Sequence, residues 1–301
     1  MEFKRFDSSE GNVFKYVFSG NDFVAESVLY RYNSFAERTV ICCSTQSGCP
    51  VGCSFCGTGK RFVRNLTSDE IVSQVKTVIE DQNINTQEVR KFQIMFMSMG
   101  EPLLNWDAVA TAIERLNVLY PTAQLLISTI APNNPRALMG FLELSKKIDK
   151  IGLQFSIHRS NDEDRNKLIP YKNKLTLEEI RDYGIMWWHK TGRHPYLNYC
   201  VEGAVNSTSA DIVRLQALFS PLVFNFTFSV VCSSDETMKD AGYKDLDFIR
   251  SVEQSFINKG YNTRIFDPAG QDDIGGGCGQ LWFVQRWLAE HKATYSAAPK
   301  S

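Results

Sequence analysis

The chain has 301 residues, 43% of them hydrophobic, with 33 basic and 34 acidic side chains and a formal net charge of -1. That is enough to bury a sizeable core, in one large domain or two smaller ones. It excludes a strong global basic field for gathering nucleic acid, and the chain has neither a run of about 18 apolar residues to cross a membrane nor an apolar signal core over the polar stretch Met1–Asn12.

In chain order, Val13–Phe18 and Phe23–Tyr30 are aromatic and β-branched, with the turn signal Ser19-Gly-Asn-Asp22 between them. They read as a β-hairpin. An alternation follows. Arg38–Cys43 reads as a strand. Thr67 and Glu70 form a capping-box pattern ahead of Ile71, Val75, Val78 and Ile79, which repeat with helical period. Strand signals recur at 91–97, 124–128, 152–157, 196–201 and 223–231, each followed by a helical pattern: 107–118, 134–147, 176–190, 208–219 and 244–259. Thr263–Phe266 offers one more strand. Six strand–helix units in a row predict parallel strands joined by helical crossovers. A partial barrel and an open doubly wound sheet fit that string equally well. In either, site residues gather at the C-terminal ends of the strands. There the sequence places three cysteines, Ser98-Met-Gly100-Glu101-Pro102, Ser128-Thr129, Ser156-Ile157-His158, Glu202 with Asn206, and Cys232-Ser-Ser.

Eight cysteines (42, 43, 49, 53, 56, 200, 232 and 278) in a large chain of ordinary composition, clustered in one loop, point to reduced metal or redox chemistry in the cytoplasm rather than a disulfide framework. Cys49-Pro-Val-Gly-Cys53-Ser-Phe55-Cys56 carries three thiols in one short loop. Thiolates at this spacing suit three corners of an iron–sulfur cube and leave the fourth iron open for chemistry. Half of a zinc site, or free thiols, are the alternatives. A zinc site needs a fourth ligand, and His158, His189, His194 and His291 all lie far along the chain. Gly100 lets backbone approach a ligand, and the Glu101 carboxylate can accept from an ammonium; a solvated turn is the plainer reading. Cys278 follows three glycines and precedes the amphipathic segment Leu281–Leu288. A helix N-terminus there would favour its thiolate, whereas a structural cysteine is the alternative. Cys200 reads as a buried strand residue.

The C-x3-C-x2-C loop with Phe55 before its last cysteine resembles the signature of radical S-adenosylmethionine (SAM) enzymes. Together with Cys42, seven before Cys49, it is joined by Arg64-Asn-Leu-Thr67-x2-Glu70-Ile71-x2-Gln74-Val75, Met99-Gly-Glu-Pro-Leu-Leu-Asn105 and Asp273-Ile274-x3-Cys278-Gly-Gln-Leu281. This set, running from about Glu26 to Leu281, resembles the RlmN/Cfr family of radical SAM methyltransferases that act on adenosine in RNA.

The resemblance implies an α/β fold, a partial (β/α)6 barrel with a short N-terminal β-hairpin extension: 1–37 as the extension, 38–295 as the barrel with its methyl-carrier segment, and 296–301 as a tail. It implies a [4Fe-4S] cluster on Cys49, Cys53 and Cys56, and two SAM molecules per turnover. SAM contacts would come from Phe55, Gly100, Glu101, Ser128, Ser156, His158 and Cys232. Cys278 would take a methyl group from one SAM. A 5′-deoxyadenosyl radical from the second would remove hydrogen from that methyl, and the S–CH2 radical would add to carbon-2, or less readily carbon-8, of adenine. Glu26 would act as base, and Cys42 would attack the Cys278 sulfur, forming a disulfide and releasing product. The implied partners are an RNA substrate, tRNA ahead of rRNA, an electron donor such as flavodoxin or ferredoxin, and a thiol reductant, with no membrane. Lys60, Arg61, Arg64, Lys167 and Lys172 are candidates for a basic rim. The sequence departs from the family pattern at several points. Only 25 residues precede Glu26, so the accessory N-terminal domain is expected to be absent. The family's Trp-Asn after the sixth strand is not matched near Val231-Cys232. Its Thr-Ser-Gly appears as Thr129-Ile-Ala-Pro132, and its alanine pair as Gly276-Gly277. The same chemistry on a nucleotide, small heteroaromatic or peptide acceptor is the alternative, and an RNA- or cluster-binding protein without catalysis a third reading.

Overall fold

The computed structural model describes residues 1–59, 61–231, 245–267, 273–277, 279–281 and 283–291. Cys278 and Cys232 therefore lie outside the described residues, as does Lys60. Ten strands form one open sheet. Three antiparallel strands, β1 (Glu2–Asp7), β2 (Val13–Ser19) and β3 (Val24–Tyr32), lead into β4 (Arg38–Cys43). From β4 onward every pairing is parallel, through β7 (Lys91–Phe96), β8 (Gln124–Thr129), β9 (Ile151–Ser156), β10 (Tyr196–Cys200), β11 (Asn225–Ser229) and β12 (Thr263–Phe266). The two remaining strands, β5 (Gln46–Cys49) and β6 (Arg61–Asn65), form a separate hairpin around the cysteine loop.

The crossovers are α1 (Ser68–Asp81), α2 (Trp106–Leu119), α3 (Pro135–Lys147), α4 (Asp162–Leu168) with α5 (Leu177–Thr191), α6 (Ser209–Leu218) and α7 (Leu246–Ile257). Their ends follow local chemistry. Thr67 caps α1 and Thr176 caps α5, each with a reciprocal glutamate at the third position. α5 stops at Gly192, whose φ of 71° suits only a residue without a Cβ. The six expected strand–helix units are present. The sheet curls: Tyr30 on β3 and Phe266 on β12, far apart in strand order, meet edge to face with ring centroids 5.7 Å apart. This is an α/β partial barrel.

Period-2 alternation sorts the strand residues between two cores. Ile41, Cys43, Ile94 and Phe96 face outward into the main core with Val75, Val78 and Ile113 of the helices. Val40, Cys42 and Met95 face inward with Val28 and Tyr30, and α8 (Phe283–Glu290) covers them with Val284 and Trp287. Fully burying such side chains stabilises by roughly 1.5–3 kcal/mol each.

Three elements go beyond the sequence reading. β1 lies in a stretch read only as polar; it is an exposed edge strand, where charges are tolerated, held by Phe3 on Tyr16 and Phe6 on Phe283. The β5–β6 hairpin and α4 were also not anticipated. α8 begins at Phe283, five positions beyond Cys278, which lies outside the described residues.

Candidate active site

The site is built where β4 and β7 end. Ser44 to Gln46, leading to the cysteine loop, are held by buried amides. Gln74 donates to the Ser44 carbonyl at 3.0 Å and accepts from its N–H at 2.9 Å. Asn105 donates to the carbonyls of Thr45 and Leu66 at 2.7 and 2.8 Å. Gln46 bridges to Asn65 at 2.8 Å and accepts from the Glu101 N–H at 2.9 Å. The sequence motifs around 65–74 and 99–105 thus brace the cysteine loop. Gly48, with φ 77°, sits in a bulge where an added Cβ would lie 1.9 Å from the Arg61 carbonyl oxygen. Gly100 lacks a side chain for a related reason: a Cβ there would lie 2.7 Å from Gln46, so its close approach is to the protein's own backbone.

Cys49, Cys53, Phe55, Cys56, Gly100, Glu101, Ser128, Ser156 and His158 all line one cleft, joined by Ser98, Thr129, Asn198 and Gly279. It encloses about 710 Å³ of empty space, counting the space open to solvent. Among the described residues no three His, Cys, Asp or Glu side chains converge on one ion position. Burial pushes the Cys49 thiol up to about 12, against amide hydrogen bonds from Val51 and Gly52 that lower it. A soft cation is what would hold such a sulfur as thiolate. The Ser98 hydroxyl is buried, lines the cleft and has no hydrogen-bond partner among the described residues. A polar atom left open toward a cleft is what a bound polar ligand would satisfy. Donor set and cleft fit a cluster with SAM beside it.

Glu101 is buried, and its carboxylate ties the strand ends together. Oε1 accepts from Leu103 N at 3.0 Å and Thr129 Oγ1 at 2.6 Å, and Oε2 accepts from Ile130 N at 2.9 Å. Burial pushes the carboxyl up to about 7, against those three hydrogen bonds. A carboxylate has about four lone-pair sites, so one direction on Oε2 stays open for an ammonium. Ser128 and Ser156 face each other at 3.4 Å between hydroxyl oxygens, and Gln154 donates to Ser128 at 3.1 Å. His158 has φ 56°, accepts the Cys200 N–H on Nδ1 at 3.2 Å, and packs edge to face on Phe55 at 5.2 Å. Burial above all, with Arg159 and Arg165 adding, lowers it to about 3, so the ring is neutral.

Cys42 and Cys43 point to opposite faces of β4. Cys43 is sealed in the outer core, where burial pushes its thiol up to about 12. Cys42 lines a second pocket with Val28, Tyr30, Cys56, Met97, Ser98, Gly276, Gly277 and Gly279. Cys56, Met97, Ser98 and Gly279 line both pockets. Gly277 and Gly279, on either side of position 278, therefore line the pocket of Cys42 where it adjoins the cysteine-loop cleft. This backbone is stitched in place: Gly57 N donates to Gly279 O at 2.5 Å, Thr58 Oγ1 to Leu281 O at 2.7 Å, and Tyr30 Oη to Gly276 O.

Glu26 lies elsewhere. It lines neither pocket and is fully buried in an ion pair with Lys15 at 3.1 Å, while its Oε1 accepts from Phe283 N at 3.0 Å. Burial raises its pKa and Lys15 opposes. Lys15 Nζ also donates to Gly275 O at 3.1 Å and Gln280 O at 3.4 Å. The pair clamps the segment around position 278, a role not anticipated for Lys15. The basic rim is corrected in part. Arg64 is taken up by Asp22 and Glu70, and Lys167 by Glu163 and Asp164. Among the described residues no helix is long and apolar enough to cross a membrane.

No family model matches the chain. A curated probable dual-specificity RNA methyltransferase RlmN from Pseudothermotoga lettingae is 33% identical over 277 residues, covering 91% of this chain and 77% of the relative. Its counterpart from Finegoldia magna is 31% identical, covering 92% and 77%. Among solved structures, a radical SAM methyltransferase from Sphaerobacter thermophilus superposes with a TM-score of 0.78 at 26% identity, covering 92% of this chain and 79% of that one.

Proposed function

The chain belongs to the RlmN family of radical SAM methyltransferases, and from that premise we propose that it methylates an sp2 carbon of adenosine in RNA, carbon-2 ahead of carbon-8, with Cys278 as methyl carrier. The observation that supports this best is the shared wall of the two pockets: cluster cysteines, Cys42 and the backbone flanking position 278 open onto one lumen.

In this reading Cys49, Cys53 and Cys56 would hold a [4Fe-4S] cluster, which when bound and reduced would supply an electron to SAM for radical chemistry. Glu101 takes the SAM ammonium on its open lone pair. Phe55, Ser128, Ser156 and neutral His158 line the rest of the bed, and the backbone at Gly100 closes it. Cys232 is the remaining contact in this reading. The Cys278 thiolate accepts a methyl from one SAM by displacement, and the second SAM is spent on the radical. Loss of hydrogen from that methyl arms the carrier for addition to the electron-poor ring carbon. Once the ring proton is removed, the Cys42 thiolate would attack the Cys278 sulfur; the S–S bond forms as the S–CH2 bond breaks, the freed carbon takes a proton to become the methyl group, and the adduct's odd electron leaves to a one-electron acceptor, for which the cluster would serve. An external thiol resets the pair. Glu26 is the base for the ring proton. Its oxygens face Phe283 N and Lys15, so that role requires the segment after Gly279 to release it.

The test uses anaerobic protein with reconstituted cluster, SAM, a reductant and total RNA from cells lacking the gene. Digested RNA is examined by mass spectrometry, with Cys278→Ala and Cys42→Ser alongside. Methyladenosine that needs Cys278 is expected, and Cys42→Ser should leave RNA covalently attached to the protein. If 5′-deoxyadenosine forms and Cys278 carries a methyl while RNA stays unmodified, RNA is not the acceptor.

A further inference from the structure

The lumen of the curled sheet holds another cavity, with about 690 Å³ of empty space, lined among others by Tyr32, Arg38, Gln93, Gln154, Thr227 and Arg264. Met97 and Phe266 line both this cavity and the pocket containing Cys42, so the two adjoin. Arg264 Nε donates to Thr227 Oγ1 at 2.8 Å and Nη2 to Gln154 Oε1 at 3.1 Å, and its guanidinium lies 4.3 Å from the centre of the Tyr196 ring. Arg38 places Nε and Nη2 on Gln93 Oε1 at 3.2 and 3.0 Å and lies 4.1 Å over Tyr32. Every one of these acceptors is neutral. Among the described residues neither guanidinium forms an ion pair, and neither Nη1 makes a hydrogen bond. Asp267 also lines the cavity; one carboxylate against two arginines leaves the ionisable lining net positive.

Two cations facing one cavity, neither in an ion pair among the described residues, are costly to desolvate. Neutral amides and aromatic faces hold both groups in fixed orientation, and the planar guanidinium fork matches a phosphate bidentately. The positive field is felt nearby: burial first, then Arg38 and Arg264, lower the pKa of Lys91.

We propose that Arg38 and Arg264 form a phosphate subsite in the lumen, which takes the phosphate of the nucleotide whose base is presented to the carrier cysteine. The proposal rests on the reading above, in which the acceptor is an adenosine nucleotide. The phosphate comes either from an RNA strand or from a free adenosine nucleotide; both present the same oxygens.

The test uses the full chain and four probes: inorganic phosphate, adenosine monophosphate, adenosine, and an adenosine-containing RNA stem-loop. Thermal shifts at ionic strength held constant with chloride, and calorimetric affinities, are compared for the native protein, Arg38→Gln, Arg264→Gln, and both Arg→Lys variants. Phosphate and the monophosphate are expected to stabilise the native protein beyond chloride. Affinity for the monophosphate or the stem-loop should fall at least tenfold in each glutamine variant and be partly restored by lysine, while adenosine binding stays within twofold. A loss confined to the stem-loop assigns the subsite to a strand phosphate; a loss confined to the monophosphate assigns it to a free nucleotide. Should a glutamine variant fail to fold, the lysine variants decide, since they keep the charge but lose the fork. Phosphate no more stabilising than chloride, or affinities for both ligands within twofold of native in all variants, overturns the proposal. RNA methylated with unchanged kcat/KM by both glutamine variants overturns it too, and leaves the methyltransferase reading standing. A tenfold effect on the monophosphate without any RNA methylation does the reverse.

Discussion

At the scale of single residues, Glu101 and His158 pull stability in opposite directions with pH. Burial raises the Glu101 carboxyl from 4.5 to about 7. Its contribution is therefore full below 4.5 and is lost as pH rises through 7. His158 is lowered from 6.5 to about 3. Its contribution is full above 6.5 and is lost as pH falls through 3. The slopes oppose each other between 4.5 and 6.5, and Glu101 acts alone above that. Urea unfolding at pH 6.5 and pH 8 should show the native protein losing stability relative to Glu101→Gln; parallel losses in both would remove Glu101 from the account. Between pH 6 and pH 4, His158→Gln should lose less stability than the native protein. The sequence showed that both residues follow strands, but not what their side chains do. Glu101 was legible as a ligand for an ammonium; its bonds to Thr129 and Ile130 depend on β8 lying beside β7, which no local pattern announces.

At the scale of elements, the β2–β3 hairpin reads plainly from its aromatic and β-branched runs, yet its purpose lies in Lys15, a lone charge within an apolar strand. That oddity was the available signal, and its partner is 11 positions on, directly across the ladder's neighbourhood (Val17 pairs with Glu26). A buried pair is a weak stabiliser as a unit, but breaking one side strands the other charge. Lys15→Met should therefore destabilise by about 3–5 kcal/mol, while Lys15→Met with Glu26→Leu should recover most of that loss in chemical denaturation. The carbonyls of Gly275 and Gln280 lose their donor in both. Hydrogen exchange over 273–283 should then rise even in the stable double variant; unchanged protection there would sink the clamp. The β5–β6 hairpin was illegible for a different reason: its strands are short, and the turn between them is the cysteine loop itself. Gly48 is its weak point. Gly48→Ala forces a Cβ against the Arg61 carbonyl at positive φ. Iron bound per chain after reconstitution should drop severalfold, while far-UV circular dichroism stays native. Full iron loading would mean the bulge does not position Cys49.

At the scale of the whole molecule, charge decides how RNA can be held. The strand–helix alternation made the parallel sheet legible, and parallel sheets put loops on one rim, so a polar rim was foreseeable. Which rim cations stay available was not, because pairing is set by neighbours distant in sequence: Arg64 meets Asp22 across 42 positions, and Arg115 meets Asp69 across 46. The chain carries a formal net charge of -1, and rim residues such as Arg64 and Lys167 spend their charge on carboxylates. Counterion release from single-stranded RNA gives a slope of about -0.7 per phosphate neutralised in log K against log salt. If Arg38 and Arg264 meet phosphate in the lumen while Arg64 and Lys167 stay on their carboxylates, about two to four phosphates are neutralised, which predicts a shallow slope of roughly -1.5 to -3. Filter binding of a stem-loop from 50 to 300 mM salt, on the order used for such titrations, measures it. A slope steeper than about -5 would mean that RNA binding is carried by a broad basic face outside the lumen. A shallow slope that flattens further by about one phosphate's worth in Arg264→Gln would put a measurable share of the electrostatic binding inside the barrel rather than on its surface.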